Sequence, residues 1–132
     1  MSPDNQRANA TAELERAAES LRAGEILLRE GLANDAVSRA YYASFHAVRA
    51  LLFTLGLEAR SHRGALHLFN LHFVKTGKLE ARHLSALAKS QYDRTSADYG
   101  ATAHFEAQEA KEELASARAL LAAARALVPP AG

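Results

Sequence analysis

Apolar residues recur along the chain at steps of three and four. β-branched residues are scarce while Ala, Leu, Arg and Glu dominate, so both pattern and local preference predict helix almost everywhere. A first helix is expected over about 4–29, with Ser2 or Asn9 as candidate caps and Gly31 beyond its end. Leu14, Ala17, Leu21, Gly24 and Leu28 form its core stripe. A second helix, about 35–55, takes Asn34 or Asp35 as its cap and stops at Gly56. Its stripe is Val37, Tyr41, Ser44, Val48, Leu51 and Leu55.

Ser61 is placed to cap a third helix that runs to about Val74, where "KTGK" supplies a turn. A fourth helix is expected over about 80–98, before Gly100, and a fifth over about 103–127, before Pro129. Ala103, Ala107, Ala110, Leu114, Ala117, Leu121, Ala124 and Val128 keep a 3-4 spacing in the fifth. Small residues along such a seam let a neighbouring helix approach closely. Four long helices with short connections predict an all-α, antiparallel up-and-down four-helix bundle, with 61–74 as a short accessory helix.

A length of 132 residues suits one domain, with a core at about 10–127 and a flexible tail at 128–132. With 48% hydrophobic and 23% charged residues the composition is globular. The near balance of 16 basic and 15 acidic residues excludes a uniform field drawing the chain onto nucleic acid or membrane, so any RNA contact must be local. No cysteine is present, which removes disulfides, thiolate chemistry and cysteine zinc sites. Neither a signal peptide nor a membrane span is visible, and a cytoplasmic location is expected.

The second helix carries a second specified face. Arg39, Tyr42, His46, Arg49 and Phe53 fall within a sector of roughly 80°, nearly opposite the core stripe. Three readings stand beside one another: amphipathic surface with snorkelling Arg and Tyr, a polar groove or self-association face, and catalytic use of Arg39 and His46.

"AVSRAYYASFHAVRALL", "SHRGALHLF", "HFVKTGKL" and "RTSADYG", taken together and in this order, resemble the small prokaryotic HEPN domain proteins over about residues 10–125. The resemblance implies a helical bundle that dimerises, often as one half of a two-component toxin and antidote system with a minimal nucleotidyltransferase. Active members are metal-independent ribonucleases using an Arg and a His separated by four to six residues. Arg94 matches the motif arginine, but Asp98 stands near the histidine position after only three intervening residues. A carboxylate there adds negative charge beside a phosphate, so the motif reads as degenerate. Arg94 and Asp98 also have the i,i+4 spacing of a simple surface pair. Tyr99 loosely resembles the tyrosine that the partner enzyme modifies, and it also reads simply as an aromatic packing at a helix end.

The expected function is a dimeric nucleotide- or partner-binding component of such a system. The polar face would be Arg39, Tyr42, His46, Arg49 and Arg94, and "RSHRG" would let Arg60 and Arg63 fork onto phosphate. Alternatives are a metal-independent RNase toxin with Arg94 on phosphate and His46 as relocated acid or base, and a structural dimeric adaptor without nucleotide chemistry. Arg39 to His46 and Arg60 to His67 also have the formal motif spacing, at a frequency expected by chance. His62, His67 and His72 rotate by about 140° per step and do not converge on a metal. No cofactor or metal is expected. Glu106, Glu109, Glu112 and Glu113 read as a solvated face.

Overall fold

A computed structural model describes residues 1–130. The expected tail at 128–132 therefore lies partly outside the described residues, which end just past Val128. Five α-helices pack as a bundle with no strand among the described residues: α1 (Pro3–Arg29), α2 (Ala33–Phe53), α3 (His62–Phe69), α4 (Ala81–Tyr99) and α5 (Ala107–Leu127). α3 continues into a wider π-helical turn, Asn70–Val74, so the expected third helix is two unlike pieces.

The helix ends follow from local chemistry. Ser2 accepts from the Asn5 N–H at 3.2 Å, with Pro3 in the first turn where its missing donor costs nothing. Gly31 adopts φ 81°, the left-handed conformation that lets the Leu32 N–H reach back to the Leu27 carbonyl at 2.9 Å. Ser61 accepts from Gly64 N–H at 2.9 Å, as expected. α5 starts at 107 rather than 103 because Glu106 and Glu109 form a reciprocal capping box there.

Three expectations are corrected. Neither Asn34 nor Asp35 caps α2, whose first residue is Ala33. Asn34 instead donates to the Ala103 carbonyl and accepts from the Phe105 N–H, both at 3.0 Å, tying the loop before α5 to the start of α2. α2 ends at Phe53, where the Thr54 hydroxyl donates to the Leu51 carbonyl, and Leu55 turns outward instead of closing the core stripe. Glu113 is not on a solvated face. It is 7% exposed, because its position between Ala110 and Ala117 turns it toward α4.

α2 is the hub, packed by α1, α4, α5 and α3. Val37, Tyr41, Val48, Leu51 and Leu52 of α2 join Leu21, Phe69, Leu87, Leu114 and Leu121 in one core. At Gly24 the helices pack tightly: a Cβ there would sit 2.6 Å from Leu114 Cδ2 and 3.2 Å from Arg39 Cβ. The small residue is what lets α1 lie against α2 and α5.

Candidate functional site

The aromatic run of α2 projects toward the first residue of α3 and the last turns of α4. Tyr41, one residue off the Tyr42 face, is 1% exposed. Its hydroxyl lies 2.5 Å from Nδ1 of His62, the first residue of α3. The Phe45 ring packs on the same imidazole at 4.7 Å between centroids. His62 is therefore held on two sides, and among the described residues its Nε2 makes no hydrogen bond.

Arg94 enters this cluster from α4. Its side chain is 11% exposed, and its guanidinium carbon lies 5.3 Å from the Tyr41 centroid and 5.6 Å from that of Tyr42. A desolvated cation over two ring faces is attracted by both quadrupoles. Asp98 Oδ2 sits 3.6 Å from Arg94 Nη1 and accepts from the Ser38 hydroxyl at 3.4 Å. Arg94 Nε is buried with no partner. Arg39 stacks on Tyr42 as well, at 4.8 Å, so one ring carries two guanidinium groups.

The electrostatics follow from this packing. Burial, and then the Arg94 charge, hold the His62 imidazole below its ordinary value, so the neutral form is favoured. Burial pushes the Tyr41 hydroxyl up, so it stays protonated despite Arg94. A neutral imidazole beside a fixed cation can move a proton and hold an anion, without a metal.

The polar stripe of α2 is split by its neighbours. Tyr42 and Arg39 face the Arg94 cluster, whereas His46 bonds Glu13 of α1 at 2.6 Å. Arg49 lies 3.6 Å from the same carboxylate and 3.9 Å from Glu58. Phe53 is buried. Arg60 and Arg63 are both exposed around the start of α3. Tyr99 is 77% exposed at the end of α4. Among the described residues, no three His, Asp or Glu side chains are grouped to hold a metal ion, and no helix is long and apolar enough to cross a membrane.

His62 and Tyr41 were not singled out for this role by the sequence. Along the sequence His62 reads as one of three evenly spaced histidines and Tyr41 as core. The available signal was the histidine directly after a capping serine, because a side chain at a helix start can point back over the preceding element.

A HEPN domain family model matches residues 10–127. The chain is 43% identical over 86 residues to a "putative toxin" of Methanocaldococcus jannaschii, a match covering 65% of this chain and 64% of that protein. It is 41% identical over 76 residues to a UPF0332 protein of Pyrococcus horikoshii, covering 58% of this chain and 54% of the relative. A UPF0332 protein of Gloeobacter violaceus is 38% identical over 103 residues, covering 77% and 82%. The matches thus span less than two thirds of the two archaeal relatives. Ser38, Tyr41, Tyr42, Phe45, His62, Arg94 and Asp98 all fall within the residues the family model covers, and the chain belongs to the HEPN domain family.

Proposed function

We propose that this HEPN domain is a toxin-type, metal-independent endoribonuclease whose working pair is Arg94 and His62. The observation that carries the reading is that Tyr41 holds both residues: its ring lies under the Arg94 guanidinium and its hydroxyl meets His62 Nδ1. The toxin description of the M. jannaschii relative supports the same class.

In this reading Arg94 holds the scissile phosphate, and Asp98 keeps the guanidinium in place from its Nη1 side. His62 works in the tautomer with its proton on Nδ1, donated to the Tyr41 oxygen, and with Nε2 bare. Nε2 takes the proton of the ribose 2′-hydroxyl as that oxygen attacks phosphorus. The bond to the 5′-oxygen breaks, the 5′-oxygen takes a proton from solvent, and the products are a 2′,3′-cyclic phosphate and a 5′-hydroxyl. Asp98 then has no proton to move, and the short Arg-to-Asp spacing is no obstacle, because the histidine comes from α3.

The test is RNA cleavage by the purified chain in EDTA. Wild type should cleave, His62→Ala and Arg94→Ala should lose on the order of a hundredfold or more, and His46→Ala should remain active. An inert wild type, or an active His62→Ala, sinks the reading.

A second reading rests on the exposure of the Tyr99 ring beside Asp98. It makes this chain the dimeric partner of a minimal nucleotidyltransferase, silenced or regulated by nucleotide attached to Tyr99. Native mass spectrometry after gentle purification tests it: an AMP adduct on the Tyr99 peptide, or a stoichiometric nucleotidyltransferase, supports it. A bare homodimer without RNase activity leaves the adaptor role.

A further inference from the structure

We infer that the cleft between α4 and α5 binds a small organic cation carrying a primary ammonium group, seated on Glu113 and Ser90. Neither residue belongs to the Arg94 cluster, and the inference does not depend on the ribonuclease reading.

Glu113 is 7% exposed and Ser90 is 5% exposed. Both carboxylate oxygens of Glu113 and the Ser90 hydroxyl are shielded from solvent and, among the described residues, make no well-formed hydrogen bond, although Ser90 and Asp93 stand beside the carboxyl. Orphaned buried oxygens of this kind cost free energy unless something satisfies them. Both residues line a cavity of about 290 Å³, together with Ser44 of α2, Lys89 of α4 and Glu109 and Glu112 of α5. The Lys89 ammonium is hydrogen-bonded to Asp93 on its own helix and reaches Glu113 through its charge alone.

The chemistry of the ligand follows from the acceptors. An ammonium group has three N–H donors, and the unpartnered acceptors are three: two Glu113 oxygens and the Ser90 oxygen. A bare divalent cation does not fit, since no three metal-binding side chains are grouped among the described residues. Beside Ala86 and the Asp93-bound Lys89 the lining is serine and carboxylate with no aromatic ring, whereas quaternary ammonium groups are held by aromatic cages. Glu109 and Glu112 at the same cleft raise the local concentration of cations. The volume is near the lower end for small-molecule sites and has room for a short diamine.

Glu113 also gives the site a signature. Burial, and then the facing Asp93 charge, push its carboxyl up to about 8, with Lys89 opposing. The titratable and charged groups facing it are Asp93 and Lys89 from α4 and Glu109 and Glu112 beside it on α5, while α2 contributes only Ser44. At pH 7 the ligand must displace the Glu113 proton. Binding therefore releases a proton, and affinity rises from pH 6 to pH 8.

The experiment is calorimetric titration of the full chain with 1,4-diaminobutane at pH 6, 7 and 8, in two buffers of different ionisation enthalpy. Expected are one site per chain, proton release at pH 7, and at least about tenfold weaker binding of tetramethylammonium. Glu113→Gln, whose folding is checked by its melting curve, should weaken binding about tenfold or more, and Ser90→Ala about threefold or more. Glu112→Gln, which removes only an exposed charge, should weaken it about twofold, well short of the Glu113→Gln loss. No binding up to about 10 mM, no proton release, or equal losses for Glu112→Gln and Glu113→Gln would overturn the site. Equal losses would reduce it to counterion binding on an acidic surface.

Discussion

The Tyr41 hydroxyl and His62 Nδ1 lie 2.5 Å apart and join the buried centre of α2 to the first residue of α3. The contact explains why an otherwise apolar helical run carries a tyrosine in its core stripe: the ring packs, and the hydroxyl orients an imidazole whose neutral form is favoured by burial and then by the Arg94 charge.

The His62 imidazole should titrate below the ordinary histidine value by NMR, because burial and the Arg94 charge both disfavour its cation. Arg94→Gln should move the midpoint upward, toward that value. An unchanged midpoint in the variant would mean that the two groups do not interact.

Tyr41→Phe keeps the ring under Arg94 and removes one hydrogen bond. We expect a stability loss of about 0.5–1.5 kcal/mol, read from denaturant melts. If the chain cleaves RNA, kcat should fall and its pH profile should change, while RNA affinity stays near wild type. A change in affinity alone would argue that Tyr41 only packs.

Stability should pass through a maximum near neutral pH. Glu113 is raised to about 8, above its unfolded value, so the folded state holds the extra proton; stability is present at low pH and is lost as pH rises toward 8. His62 and His83 are lowered, so their contribution is present above about 6.5 and is lost as pH falls from there through their folded values. Melting curves from pH 5 to 9 should show both limbs. Because the Glu113 contribution declines all the way from about 4.5 to about 8, Glu113→Gln should flatten the alkaline limb and steepen the acid one.

Glu13 meets two side chains of α2, the His46 imidazole at 2.6 Å and the Arg49 guanidinium at 3.6 Å. Glu13→Ala should cost about 2 kcal/mol or more, below the roughly 3–5 of a fully buried pair because Arg49 reaches solvent. Glu13→Gln should cost less, since an amide still bonds the imidazole. Urea denaturation of both variants separates charge from hydrogen bonding.

Gly24→Val should destabilise by about 1–3 kcal/mol despite the poor helix propensity of glycine, because the added carbons meet Leu114 and Arg39. A neutral or stabilising result would show that α1 can move off α2 and α5 at no cost.

Much of the architecture is legible in local patterns. Ser2, Gly31, Ser61 and Gly56 mark helix ends because capping and left-handed turns involve residues a few positions apart. Val37, Tyr41, Val48 and Leu51 mark the core because helical periodicity repeats every few residues. Where a local cue failed, a distant partner had claimed the residue. Asn34 looks like a cap but serves the loop at 103–105, and Glu113 sits among surface acids but faces Asp93.

By itself, then, the sequence determined five helices, their punctuation, the central apolar stripe of α2 and the resemblance to one family. The tertiary structure decided which polar residues meet. Glu13 and His46, Tyr41 and His62, and Tyr41 and Arg94 are each separated by 21 residues or more. No periodicity within one helix encodes such a pair; it exists only when α1, α3 and α4 dock on α2, driven by apolar faces that do not themselves specify the polar contacts.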